Sequence, residues 1–393
     1  IDCNKIQLNG NYTIGIAEMM MDVAIITNND IFVYGTNKDM ANAGDMVPAV
    51  TVGIFSMGES EINNNAITSA GNWTIFNSYS DVEITYNYLV SSELLGDDSV
   101  NDTSDDAVVE NNIPVAGATN YNLTNDTFFL FFDDNGILRE NITAESLTFI
   151  GEFSDLTIWN EISRPIRLIS DNATLHDMSF VISSDDVTLD GFTFISKDLS
   201  QIITVYGDNV QITNNVFMVD GADDDNNYVI YISEADEVLI YNNSILFNVE
   251  TNETNKNMAI YAEESQKLSI AENTIYSRLP ARSVDWYTGT IYSAGVFLND
   301  CDYADLYNNT IAVMSNDQIS TYDTIYTAYI LGDNATILKN QIGVVEAPYG
   351  YALVVAGKNF KIQNNIIAAV KKGTYACGID IESNSEGLIS NND

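Results

Sequence analysis

Short alternations of apolar and polar residues recur along the chain, and each ends in a polar pair dominated by asparagine. "VQITNNVF" from Val210, "VLIYNNSILF" from Val238, "ADLYNNTI" from Ala304 and "FKIQNNII" from Phe360 share the pattern, while "LSIAENTI" from Leu268 and "ATILKNQI" from Ala335 vary it. Before the pair, Val210 and Ile212 or Val238 and Ile240 fall on alternate positions. A period of two describes a strand, not a helix. After the pair, an apolar residue such as Phe217 or Ile245 follows two positions on.

Aligning the second polar residue gives the column Asn215, Asn243, Asn273, Asn309, Asn340, Asn365 and Asn392, with steps of 28, 30, 36, 31, 25 and 27 residues. An earlier set runs through Asn4, Asn29, Asn65 and Asn87. Helical repeats need a helical stretch of about ten residues, which is not visible here, and a propeller blade takes roughly 40 residues. Three short strands and three turns per unit instead make one coil of a parallel β-helix, an all-β solenoid in which each column lands on itself every ~4.8 Å. Asparagine tolerates the left-handed turn, and its carboxamide donates to one neighbour and accepts from another. The column is therefore expected to be a structural ladder.

The periodicity lapses in an acidic stretch, which divides the chain into three parts: 1–93, the end of a first β-helix block; 94–125, an acidic linker or excursion; and 126–393, a second block. "TFFLFFDDNGILRE" opens the second block as an aromatic hairpin expected to cap its open end. Met178 and Phe192 occupy the Asn column only 14 residues apart, so the first coil of this block should be irregular. "IDCNKI" and "GLISNND" both read as partial coils, so a section of a longer polypeptide is expected.

Composition narrows the partners. With 15 basic and 56 acidic side chains, the net charge of -41 argues against nucleic acid and against an anionic membrane surface. No apolar run reaches 18 residues, so no membrane span is expected.

The blocks "TFFLFFDDNGILRE", "FIGEFSDLTI" and "ISDNATLHDMSFVISSDDVTLDGFTFIS" resemble the adhesin-like cell-surface proteins of methanogenic archaea, most specifically over 128–194. The resemblance implies a right-handed parallel β-helix with a pectate-lyase-like fold, in an exported protein at the cell surface or cell wall; the chain's Asn-x-Ser/Thr sequons make a glycoprotein a separate expectation. The corresponding expectation is a non-enzymatic adhesin or stalk section that contacts other cell surfaces, wall polymer or polysaccharide, with self-association a further expectation. No catalytic motif comes with it. The alternative is an enzyme, a polysaccharide lyase or glycoside hydrolase on the same fold. Such an enzyme needs a basic group beside calcium, or carboxylates set for acid and base roles, gathered on one face of adjacent coils.

The longest step in the second block, from Asn273 to Asn309, holds the excursion "YSRLPARSVDWYTGTIYSAG". Trp286, Tyr287 and Tyr292 there, with Arg278, Arg282 and Asp285, combine flat aromatic faces and charge, and make a candidate ligand-binding loop. His176, the one histidine, is expected to face solvent. "GADDDNN", 221–227, is the acidic turn at which calcium is considered, though it lacks the alternating oxygen spacing of known calcium loops. No other cofactor or metal site is expected. Cys3, Cys301 and Cys377 show no metal spacing, and coil spacing keeps Cys301 and Cys377 too far apart to bridge. Glycosylation candidates are Asn11, Asn72, Asn101, Asn122, Asn125, Asn141, Asn172, Asn252 and Asn334. Those at 101, 122 and 125 should be accessible, whereas Asn242 and Asn308, first in their ladder pairs, should be cramped.

Overall fold

The computed structural model describes every residue except 20–22, 36–49, 80, 105, 116, 198–199, 222–225, 250–255, 282–290 and 318–322; for 316–317 and 371–374 only the backbone is described. The chain forms two compact units. One comprises Ile1–Tyr121, Asp126–Asp134 and Leu138–Glu145, the other Asn122–Asn125, Asn135–Ile137 and Ser146–Asp393.

Each unit is a right-handed parallel β-helix. In the first unit, three parallel sheets of four strands line three sides. One side, for example, stacks Lys5–Gly10, Asp30–Gly35, Ala66–Ser69 and Tyr88–Val90. In the second unit every side repeats coil by coil. Gln211–Thr213 pairs with Leu239–Tyr241, Val216–Asp220 with Ser244–Asn248, and Asn227–Ser233 with Asn257–Glu263, all parallel and in register.

The alternating apolar positions point inward. Ile26, Ile31, Ile54, Ile62, Ile67 and Ile84 form the buried column of the first unit. In the second, Phe149, Phe180, Phe192, Phe194 and Phe217 are fully buried, and the Phe194 and Phe217 rings stack at 4.9 Å. Each such side chain contributes about 1.5–3 kcal/mol by leaving water.

The asparagines form one hydrogen-bonded column in each unit. In the second, the carboxamide oxygen of each Asn accepts both the backbone N–H and the side-chain N–H of the Asn one coil earlier. Asn215 donates to Asn243 at 2.9 and 3.0 Å, and the relay continues through Asn273, Asn309, Asn340 and Asn365 to Asn392. Each Nδ2 also reaches a backbone carbonyl of the coil before, as Asn243 does to Ile212 at 2.8 Å. The first unit repeats this from Asn4 through Asn29, Asn65 and Asn87. The residue before each ladder position takes a left-handed conformation, and it is asparagine at 28, 64, 111, 214, 242, 308, 364 and 391 but Cys3, Tyr86, Glu272 and Lys339 at the others. The turn and the ladder are thus separate tasks of the two members of the pair.

Three boundaries differ from the sequence reading. The stretch 94–125 is not simply a linker, because Val100–Asp102 and Val108–Glu110 add a coil to the first unit. Asn112 accepts from Asn87 at 2.9 Å and donates to Asp97 at 2.7 Å, so a carboxylate ends this ladder. Polar residues on the outer face had hidden the coil.

The aromatic block belongs largely to the first unit. Asn125–Leu130 is a 3₁₀ turn rather than a strand, and Phe128 and Phe132 stack at 4.4 Å. Consecutive aromatics cannot alternate in and out, and a tight turn gathers them on one side instead. Arg139 anchors the block, lying 4.8 Å over the Tyr88 ring and 3.7 Å from Asp30.

The third difference is the irregular coil. Thr174 pairs with Thr193 and Leu175 with Phe194, so Ala173, not Met178, lies in the column beside Phe192.

Candidate functional site

On one side of the second unit the outward positions are aromatic. Tyr231, Tyr261, Phe297 and Tyr329 occupy equivalent places on successive coils, followed by Val354 and Asp380. Ring centroids lie 5.5 Å apart for Tyr231 and Tyr261, 5.4 Å for Tyr261 and Phe297, and 5.3 Å for Phe297 and Tyr329. A neighbouring row adds Tyr326 and Tyr351, stacked at 5.2 Å, and Tyr375 from the row of Tyr349 packs against Tyr351 at 5.5 Å. Most of these rings are buried against one another, and Tyr375 is 42% exposed.

Carboxylates sit on this aromatic spine. Glu263 accepts from the hydroxyls of Tyr231 and Tyr261, the latter at 2.6 Å, and Lys256 lies 5.1 Å over the Tyr261 ring. Glu382 accepts from the Tyr329 hydroxyl at 2.7 Å. Burial, reinforced by the bond to Glu263, pushes the Tyr231 hydroxyl up to about 12. Tyr261 and Tyr329 are raised for the same two reasons, burial first. These phenols stay protonated and serve as donors to the carboxylates.

Asp380 and Glu382 lie two positions apart where Ile366–Ile381 ends, with Ile379 and Ile381 pairing to the core residues Leu353 and Val355. Two residues of strand put their α-carbons ~6.6 Å apart on the same outward face. Two carboxyl groups on one face are what glycoside hydrolysis asks of its acid and its base or nucleophile. Glu263 cannot join them, because it stands four coils away, ~19 Å along the axis.

The sequence candidates are distributed differently. Arg278 is exposed on another side of the helix, while Arg282, Asp285, Trp286 and Tyr287 lie outside the described residues. His176 is half-exposed, with Nε2 2.6 Å from Glu152 Oε2. Residues 222–225 of the calcium candidate turn also lie outside the described residues, and among the described residues no group of three His, Cys, Asp or Glu side chains could hold a metal ion. An acidic depression of about 280 Å³ in the first unit is lined by Glu59, Glu61, Asp81, Glu83 and Asp106. Cys301 is buried, Cys377 half-buried and Cys3 exposed.

Among the sequons, Asn11, Asn122 and Asn172 are exposed and Asn72, Asn141 and Asn334 half-buried, while Asn252 is outside the described residues. Asn101 lies within a strand, and Asn125 accepts the Ser154 N–H at 2.9 Å. Asn242 and Asn308, expected to be cramped, are exposed because the left-handed turn throws the first member of the pair outward. Sequence reasoning missed Asp380 and Glu382; the signal available was the acidic alternation in "GIDIE".

No family model and no curated protein matches the chain. Solved structures do. DFA-IIIase from Arthrobacter chlorophenolicus A6, in complex with DFA-III, aligns at 12% identity and a TM-score of 0.38, covering 86% of this chain and 84% of that one. The same enzyme in complex with GF2 aligns at 11% identity and a TM-score of 0.38, with 86% and 83% covered. The catalytic domain of a GH87 alpha-1,3-glucanase in complex with nigerose aligns at 12% identity and a TM-score of 0.18, covering 72% and 71%. At these values no residue role is transferred, and the fold stands on the strand register described above. These neighbours are named as enzymes, a DFA-IIIase and a glucanase, rather than as the adhesin or stalk that was expected.

Proposed function

We propose that this chain is a glycoside hydrolase. The observation that carries the reading is the placement of Asp380 and Glu382 on one outward face, with Glu382 held by the Tyr329 hydroxyl. In the reaction, one carboxyl group gives its proton to the leaving oxygen as the glycosidic C–O bond breaks. In the direct route the other takes a proton from the water whose oxygen bonds to the anomeric carbon; in the two-step route it bonds to that carbon itself, and the first, now a carboxylate, takes the proton of the water that displaces it. The exposed Tyr375 ring, tilted against Tyr351 at 5.5 Å, offers a sugar an apolar face. The names of the neighbouring enzymes agree with carbohydrate as the substrate class. An extracellular setting is part of the proposal, supported by the charge of -41.

The test is release of reducing ends from a panel of oligosaccharides and polysaccharides by the intact chain, by Asp380→Asn and by Glu382→Gln. Turnover of one substrate by the intact chain, lost in both variants with melting unchanged, is the expected result. Equal turnover by the variants would move the chemistry elsewhere.

A further inference from the structure

A second side of the second unit is unlike the rest of this acidic surface. Its strands include Val216–Asp220, Ser244–Asn248 and Thr274–Pro280, which alternate buried and outward residues. The central outward row carries Met218, Leu246 and Tyr276 on successive coils, and these are 39%, 56% and 50% exposed. On one flank stand the hydroxyls of Ser244 and Thr274, on the other Asn248 and Arg278. Charge is nearly balanced here. On the four strands from Thr193–Lys197 to Thr274–Pro280 the charged outward groups are Lys197, Asp220 and Arg278, two cations and one anion in a chain of net charge -41, while the acids Glu152 and Glu346 stand on coils beyond them.

We infer that this face is a binding track for a neutral linear glycan laid along the helix axis, separate from the carboxylate site. Sugar rings are apolar on their faces and hydroxylated at their edges. The central row gives those faces a contact surface, while the flanking hydroxyl, amide and guanidinium groups meet the edges. An anionic polymer is disfavoured by the chain's overall field, whereas an uncharged one gains the contacts without that cost. Size excludes a second copy as a stable occupant. The seven strands stacked on this side from Thr193–Lys197 to Ile366–Ile381, at ~4.8 Å by five residues of ~3.3 Å, give roughly 550 Å² per copy, short of the roughly 800 Å² per partner that a specific interface buries.

Native affinity electrophoresis through gels containing inulin, dextran or polygalacturonate tests this. At least one neutral polymer should retard the intact chain and polygalacturonate should not. The double variant Tyr276→Ala, Leu246→Ser should weaken that retardation roughly ten-fold, the scale of a lost aromatic anchor, with melting unchanged. Arg278→Gln, a milder change that leaves the apolar row in place, should weaken it less. Unchanged retardation in the double variant, or no retardation of the intact chain by either neutral polymer, overturns the proposal. So does sedimentation that shows a dimer dissolved by the double variant. Glu382→Gln separates the two readings, because it should abolish hydrolysis while leaving retardation intact.

Discussion

Tyr329 donates its hydroxyl hydrogen to Glu382 Oε1 at 2.7 Å, linking residues 53 apart in sequence and two coils apart along the axis. Removing the donor leaves the carboxylate in place and its orientation free. Tyr329→Phe should therefore lower the turnover lost in Glu382→Gln by about ten-fold or more, with a stability change of about 1 kcal/mol. Steady-state kinetics beside a denaturant titration checks this, and unaltered turnover would remove Tyr329 from the site.

Asn243 makes ladder bonds on both sides, accepting two from Asn215 and donating to Asn273 and Ile212. Asn243→Leu orphans buried polar groups that each cost about 1–3 kcal/mol, so the second unit should lose about 3 kcal/mol or more. A lower denaturant midpoint at unchanged slope is the expected outcome.

Arg139 and Asp30 form a pair with little exposure in the first unit. Burial raises the Asp30 carboxyl even though Arg139 pulls it down. Arg139→Ala leaves that acid buried without its cation and should cost about 3–5 kcal/mol, the range for breaking a buried pair. Asp30→Asn should cost less, and the double variant less than the sum. A double-mutant cycle on the thermal unfolding of the intact chain decides it.

Burial pushes the Cys301 thiol up to about 11. The folded state then holds its proton more tightly than the unfolded state, whose thiol titrates near 9. Stability from this group is full below pH 9 and is lost as pH rises towards 11. The buried thiol should also resist iodoacetamide at pH 8, whereas the exposed Cys3 reacts. Peptide mass spectrometry that finds Cys301 alkylated in the native protein would contradict its placement.

The solenoid was legible because its apolar positions repeat at a period of two and its ladder residue is chemically distinctive. Asn112 shows the limit. It does the same work as Asn87, yet polar outer residues and the acids around it masked the coil. The aromatic block misled for the opposite reason, since "FFLFF" is strongly apolar while its periodicity fits no strand. Asp380 and Glu382 were harder still, because the Tyr329 contact that singles out Glu382 joins coils whose neighbours are 25 to 36 residues away in sequence.

The ladder bonds are indifferent to how much chain lies between them. Asn273 reaches Asn309 across 36 residues at 3.0 Å, and Asn340 reaches Asn365 across 25 at 2.8 and 3.1 Å. Contour length and pitch are therefore uncoupled, and extra residues at a corner add girth without adding height. A graft placed between Pro280 and Ser293 should leave every rung where it is, which makes that corner a port for new recognition loops on an unaltered shaft.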